Sequence, residues 1–436
     1  MLHLARHKKT LTLASLLALA GGITLFAAAP AQQQAASRQS ARQSKQSPSD
    51  WPQWRGPQRD AVSKETGLLK KWPENGPPLA WRVTGLGVGY SSVSIAGDRI
   101  YTMGDIGGSG QVIALALDGG KKLWTAKVGR PGGDYEGTRS TPTVDGDRVY
   151  ALGQWGDLVC LDAASGKEHW RKNLEKDFGG RMMSGWGYSE SVLVDGDKVV
   201  CTPGGPKGTI LALNKNTGKE VWRTKDFTDS AAYSSIVPAE IAGRRQYVQL
   251  TDANVVGVAP EDGKVLWKAA RRGRTAVIPT PIVHDDHVFV TSGYNVGCNL
   301  FKITKQGDKF SAQQVYANND MENHHGGVVL VGEHVYGTGD NMLVCLDFKT
   351  GKEAWKDRSV GKGSITAADG MLYVRSEGGD GTVALVEATP EEYREVSRFD
   401  QPDRSDKNAW AHPVIAGGKL YLRDQDVLFC YDVKAK

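Results

Sequence analysis

Six tryptophans recur in one sequence context, and that context leaves few folds open. Trp124, Trp170, Trp222, Trp267 and Trp355 each end a segment that runs apolar stretch, tight turn, apolar stretch, turn, apolar stretch, Gly-Lys, Trp. Trp81 fills the same role near the start of the chain. Repeats of roughly 40 to 50 residues, built from short strands with turn signals between them, are the signature of propeller blades.

The copy from Thr141 to Trp170 is the cleanest. Val144 before Asp145-Gly146, followed by Val149 and Leu152, predicts two strands joined by a hairpin, because Asp-Gly tolerates the positive φ angles of a two-residue turn. Leu158, Cys160 and Asp162 fall on one face of a third strand, with Val159 and Leu161 on the other. Ser165-Gly166 then turns the chain into a fourth strand that ends at Trp170.

Eight such units can be counted, with outer strands ending at Trp124, Trp170, Trp222, Trp267, Tyr316, Trp355, Phe399 and Trp81. The last unit begins at His412 and stops after its third strand. Its missing fourth strand is supplied by Leu79 to Val83, which closes the ring and removes the free sheet edges of an open array. The predicted fold is therefore all-β: an eight-bladed β-propeller of four-stranded antiparallel blades over residues 78–436, at about 45 residues per blade.

The amino terminus is different in kind. Arg6, Lys8 and Lys9 precede an apolar run from Leu11 to Ala29, and Ala29-Pro30-Ala31 offers small residues for cleavage, so residues 1–31 read as a secretory signal. An uncleaved anchor is the competing reading of that run. With the signal removed, no stable membrane span is expected, and the protein is placed in the periplasm or outside the cell. Cysteine is absent before Cys160, which leaves no amino-terminal cysteine to carry a lipid. Residues 32–50, rich in Gln, Ser and Arg, read as a disordered linker. Residues 51–77 form an extended leader, too apolar for a free linker and too rich in proline for a strand or helix. It is expected to pack on the ring through Trp51, Trp54 and Trp72. The formal charge of +5 comes from the first fifty residues. The ring itself is near neutral, which gives no support to nucleic-acid binding.

Cys160, Cys345 and Cys430 occupy the same third-strand place in three blades, too far apart to bridge, and read as small buried residues together with Cys201 and Cys298. Gly218-Lys219 and Gly351-Lys352 are turns rather than phosphate loops, since no strand-loop-helix surrounds them. Function must sit where the repeats stop agreeing, on the residues leading into each innermost strand. Tyr90, Arg139, Tyr188, Glu190, His324, His325, Lys362, Trp410 and His412 stand there. Arg139 and Lys362 suit a carboxylated ligand. Trp186, Tyr188 or Trp410 suits a flat ring. The funnel set chosen from these is Arg139, Tyr188, His325, Lys362 and Trp410. The side chains of His324 and His325 are expected to point in opposite directions, as neighbours on a strand do, and no metal ligation is assigned.

The segments DAASGKEHW, NKNTGKEVW and DFKTGKEAW resemble the pyrroloquinoline-quinone-type propeller repeat, and looser copies extend the likeness over nearly all of the chain after Pro78. The leader WPQWRGPQRDAVSKETGLLKKW and the carboxyl-terminal series are similar to exported propellers of planctomycete-type bacteria. This resemblance implies two kinds of function. One is that of quinone-dependent alcohol dehydrogenases, with the quinone and calcium in the funnel and an adjacent Cys-Cys pair over the cofactor; no two cysteines are adjacent here. The other is that of the outer-membrane β-barrel assembly lipoprotein, a docking platform without a cofactor. The favoured expectation is an exported non-catalytic platform for an envelope protein or polymer, outer-membrane assembly components among them, with no cofactor. A periplasmic quinone-dependent alcohol or sugar dehydrogenase and a small-molecule sensor using the same funnel are the alternatives.

Overall fold

The computed structural model describes residues 50–339 and 341–435. The expected signal and nearly all of the expected linker lie outside them. Eight four-stranded antiparallel blades form a ring, and no α-helix occurs among the described residues. Blade 1 runs from Ser94–Ala96 to Lys122–Gly129, and the following blades succeed one another along the chain. In blade 8, Leu79–Val83 pairs antiparallel with Val427–Asp432, placing Trp81 opposite Cys430, so the amino-terminal strand closes the ring.

Each blade starts with a short inner hairpin. In blade 2 the turn residues are Gly146-Asp147, one place later than expected, and Gly146 supplies the positive φ at +60°. Middle strands such as Asp157–Asp162 are buried on both faces, whereas the outer strand Glu168–Asn173 is mostly exposed. The reason is that blades stack face to face like staves. Apolar residues accordingly form eight clusters, each shared by two adjacent blades; one unites Tyr150 and Cys160 of blade 2 with Val199 and Leu213 of blade 3.

The repeated tryptophans stitch these interfaces at the rim. The indole N–H of Trp124 donates to Ala163 O, that of Trp170 to Lys215 O and that of Trp222 to Pro260 O, always one blade onward. Tyr316 makes the equivalent bond through its hydroxyl to Phe348 O. The Gly of the next blade's Gly-Lys turn lies under the ring. A Cβ built on Gly120, Gly166, Gly218 or Gly263 would come under 3.0 Å from Trp81, Trp124, Trp170 or Trp222, and all four glycines have positive φ. Two blades depart from this scheme. Trp267 bonds Gln246 within its own blade. In blade 7 the position opposite the third strand is Ser397, not Phe399. There Trp72 of the leader donates its backbone N–H to Ser397 Oγ and packs on Phe399, and Gly76 of the leader supplies the glycine under that ring.

Candidate functional site

The register of the inner hairpins identifies one equivalent position in every blade. The last paired residue of the inner strand is Ala96, Asp145, Asp195, Ile241, His284, Val331, Ala368 or Ala416. Six residues before these stand Tyr90, Arg139, Ser189, Ser235, Ile278, His325, Lys362 and Trp410. All eight line one central funnel, a cavity of about 260 Å³. Connecting loops add Tyr135 and Trp186, and Tyr233, Tyr294 and His324 complete much of the wall.

The leader forms the floor. Trp54 lines the cavity, packs on His412 with ring centroids 4.5 Å apart, and donates its indole N–H to Thr280 Oγ1 at 3.0 Å. Around it, residues 51–62 cross the far end of the channel. Trp51 pairs with Ile95, Pro52 O accepts from Val144, Arg55 donates to Val328 O, Arg59 donates to Ser191 O at 2.5 Å, and Val62 pairs parallel with Ala367. Arg55 and Arg59 are fully buried, and burial lowers both guanidinium groups to about 10. The funnel is therefore blind, open at one mouth.

Four of the five residues chosen from the sequence, Arg139, His325, Lys362 and Trp410, share this funnel. Tyr188 does not. Its ring is buried between blades 2 and 3 and its hydroxyl donates to Pro203 O at 2.9 Å. The cause is strand alternation: Ser189 holds the funnel-facing place, so its neighbour Tyr188 points into the blade interface. The same alternation was expected to separate His324 from His325, yet their ring centroids are 3.9 Å apart and both line the cavity. A register break between Asn323 and Val328, at Gly326-Gly327, removes the alternation there. Glu190 and His412 lie below the wall. Glu190 accepts from Thr202 N at 2.7 Å, and burial raises its carboxyl to about 7. His412 bonds His325 O at 2.9 Å, and burial lowers its ring to about 3.

Glu377, which the sequence reading missed, organises one side of the wall. It lies just past a second strand, Met371–Ser376, where the repeat carries no polar signal. Lys362 Nζ is 3.1 Å from Glu377, the Trp410 indole N–H donates to it at 3.2 Å, and His325 Nδ1 lies 3.7 Å away. Burial pushes this carboxyl up, but the His325 ring and the Lys362 ammonium outweigh that and hold it at about 2. His325 stacks on Trp410 at 4.0 Å and 15°, and burial lowers its pKa. His324, bonded to the Tyr294 hydroxyl, is lowered to about 3, first by burial and then by His325 and Lys362. Both imidazoles are neutral near pH 7. Arg139 donates to three backbone carbonyls, those of Trp186, Asp134 and Tyr135.

Fold and site together define an eight-bladed propeller with a blind, aromatic, cation-bearing funnel. The sequence matches the family described as outer membrane protein assembly factor BamB over residues 108–357 and 304–392, and the chain belongs to that family. A curated relative of that name from Kangiella koreensis is 28% identical over 232 residues, covering 50% of each chain. The chain thus spans about half the length of the curated relatives it matches. Two solved structures share the fold. BamB from Moraxella catarrhalis has a TM-score of 0.54 at 17% identity, covering 77% of this chain and 94% of that one. A quinohemoprotein alcohol dehydrogenase from Comamonas testosteroni has a TM-score of 0.63 at 13% identity, covering 89% of this chain and 81% of that one. The five cysteines are free and buried. No described helix is long and apolar enough to cross a membrane.

Proposed function

We propose that this propeller is a non-catalytic binding platform of the cell envelope, whose funnel mouth engages a protein component of the outer-membrane assembly apparatus. The observation that carries the reading is the donor set of the funnel, in which no Asp or Glu lines the cavity and Glu377 behind it is engaged by Lys362 and Trp410. A general acid or base works best with a pKa near the operating pH. Here Glu377 is held at about 2 and His324 at about 3, both far from neutral pH, and burial lowers His325 below its ordinary value. Glu190, at about 7, is buried beneath the wall. Membership of the assembly-factor family supports a protein partner, and the expected signal supports export.

The donor set also argues against a quinone held with calcium. Calcium takes six to eight oxygen ligands, carboxylates prominent among them. No Asp or Glu lines the cavity, and Glu377 is already engaged by Lys362 and Trp410. Among the described residues no group of three or more His, Cys, Asp or Glu side chains is arranged to hold a metal.

The test has two arms. Protein incubated with pyrroloquinoline quinone and calcium should show no rise in melting temperature and no dye-linked alcohol or sugar oxidation; turnover would overturn the reading in favour of a dehydrogenase. A photo-crosslinking residue placed at Tyr135, on the funnel mouth, should yield a discrete adduct with an outer-membrane assembly protein in cells. Failure to form any adduct there would sink the platform.

A further inference from the structure

We infer that the funnel receives the carboxyl-terminal residue of a partner polypeptide, with its carboxylate near Arg139 and an aromatic or large apolar side chain against the aromatic wall. The inference rests on the platform reading and names what that platform holds. Three independent features of the funnel converge on it.

The first is shape. Because Trp54 and the residues around it close the far end, nothing can thread through the ring. A blind funnel admits a chain end or a protruding side chain, never the middle of an extended segment. Its volume of about 260 Å³ lies below the roughly 300 to 1,000 Å³ of pockets for drug-sized ligands, which suits a single residue.

Charge is the second feature. Most ionised groups around the cavity have a counter-charge, as Lys362 has in Glu377. Arg139 is the exception: among the described residues no carboxylate lies within salt-bridge distance of it, Asp105 acting only at longer range, and its bonds go to uncharged carbonyls. Burial lowers its pKa, which marks a cation held at a cost in desolvation. No acid lines the cavity itself and Glu377 is already paired with Lys362, so Arg139 is the cation left to attract an entering carboxylate. A carboxyl terminus supplies that charge at the very end of a chain, where a blind funnel can reach it.

The third is the chemistry of the wall, in which seven side chains are Trp or Tyr. Several of its polar groups are already spent: the Tyr233 and Tyr294 hydroxyls bond Ser184 and His324, Ser191 and Ser235 Oγ accept from the backbone N–H groups of Thr141 and Ser191, and the Trp54 N–H is bonded to Thr280. An acidic sugar would bring several hydroxyls to compete for the groups that remain, such as Ser189, Tyr135 and Asn408. An aromatic or large apolar side chain needs no such partners.

A direct test uses the full chain and a fluorescein-labelled Gly/Ser octapeptide ending in phenylalanine with a free carboxylate, read by fluorescence anisotropy. Saturable binding is expected. Amidating the carboxyl terminus, or replacing the last residue by aspartate, should each weaken it at least tenfold. Arg139→Gln should weaken the free acid at least tenfold and bring the acid-to-amide ratio close to one. Arg139 also holds loop carbonyls, so Lys362→Gln, with a smaller expected loss, and the acid-to-amide ratio keep the test decisive if the first variant does not fold. Equal binding of acid and amide overturns the inference, as does no binding up to about 1 mM. Phenylacetate or glucuronate binding as tightly as the peptide overturns it too, in favour of a small-molecule or sugar site. These outcomes are separate from quinone-dependent turnover, which would remove the platform reading itself.

Discussion

The outer rim and the funnel ring are built from the same eight units, yet they follow opposite rules. At the rim, most blades carry Trp, and each indole that bonds onward meets the next blade's turn at a carbonyl, usually over a glycine. In the funnel, equivalent positions carry Tyr, Arg, Ser, Ser, Ile, His, Lys and Trp. A rim side chain must fill the same gap between neighbouring blades eight times, so packing selects one answer. A funnel side chain faces open volume across the axis, so blade packing selects none. The difference teaches where to look for function in a repeat ring: at positions equivalent in register but divergent in chemistry.

Mutations should break this contrast in a graded way. Removing a rim anchor should cost most: Trp222→Ala is expected to lose about 3 kcal/mol in denaturant unfolding, because it deletes a buried ring and its bond to Pro260 O. A loss below about 1 kcal/mol would show that the rim is decorative. Next comes acid. His412 beneath the funnel is held neutral by burial at about 3, below its ordinary 6.5. The unfolded chain therefore binds the extra proton first, and the His412 contribution to stability should fall by about 1.4 kcal/mol per pH unit as pH drops from 6.5 towards 3, alongside a like slope from His324 and an opposite one from Glu190 between pH 7 and 4.5. His412→Asn should therefore shift the slope of that limb by about 1.4 kcal/mol per pH unit relative to the unaltered protein; an unchanged slope would assign the titration elsewhere.

Smaller effects sharpen the rim itself. Gly218 and Gly146 both have positive φ, but only a Cβ on Gly218 meets a ring, that of Trp170. Alanine at either site should cost about 1 kcal/mol for backbone strain, and Gly218→Ala about 1 kcal/mol more for the lost contact. Equal losses would remove the stack from the account. Ser189→Ala, on the funnel wall, should change stability by less than about 0.5 kcal/mol. A larger loss would mean that the funnel is constrained by packing after all.

Blade 7 tests the same contrast from within. Its outer strand reads as though Phe399 replaces the repeated Trp, but the pairing Leu385↔Ser397 places a serine there. The outer bulge moves Phe399 two residues along, and Trp72 with Gly76 fills the gap from the leader. Sequence spacing alone did not reveal this, because the partner comes from more than three hundred residues away.

The same limit governs the site. Arg139, His325, Lys362 and Trp410 were legible because they break the repeat at one register position. Ser189, Ser235 and Ile278 share that position but look ordinary, and Tyr188 looked right one residue away from it. Glu377 and Trp54 carried no repeat signal, since one lies past a second strand and the other in a segment outside the repeats.

Sequence by itself determined the number of blades, their strand order, the closing role of Leu79–Val83 and the place of most rim tryptophans, because these follow from local periodicity and from turns that only certain residues can make. Tertiary structure alone decided that the channel is blind, that His324 and His325 share one wall, and that Glu377 answers Lys362 while Arg139 has no described acid within salt-bridge distance. Those are distances between groups far apart in the chain, set by how the ring closes and where the leader crosses it. No local pattern encodes them.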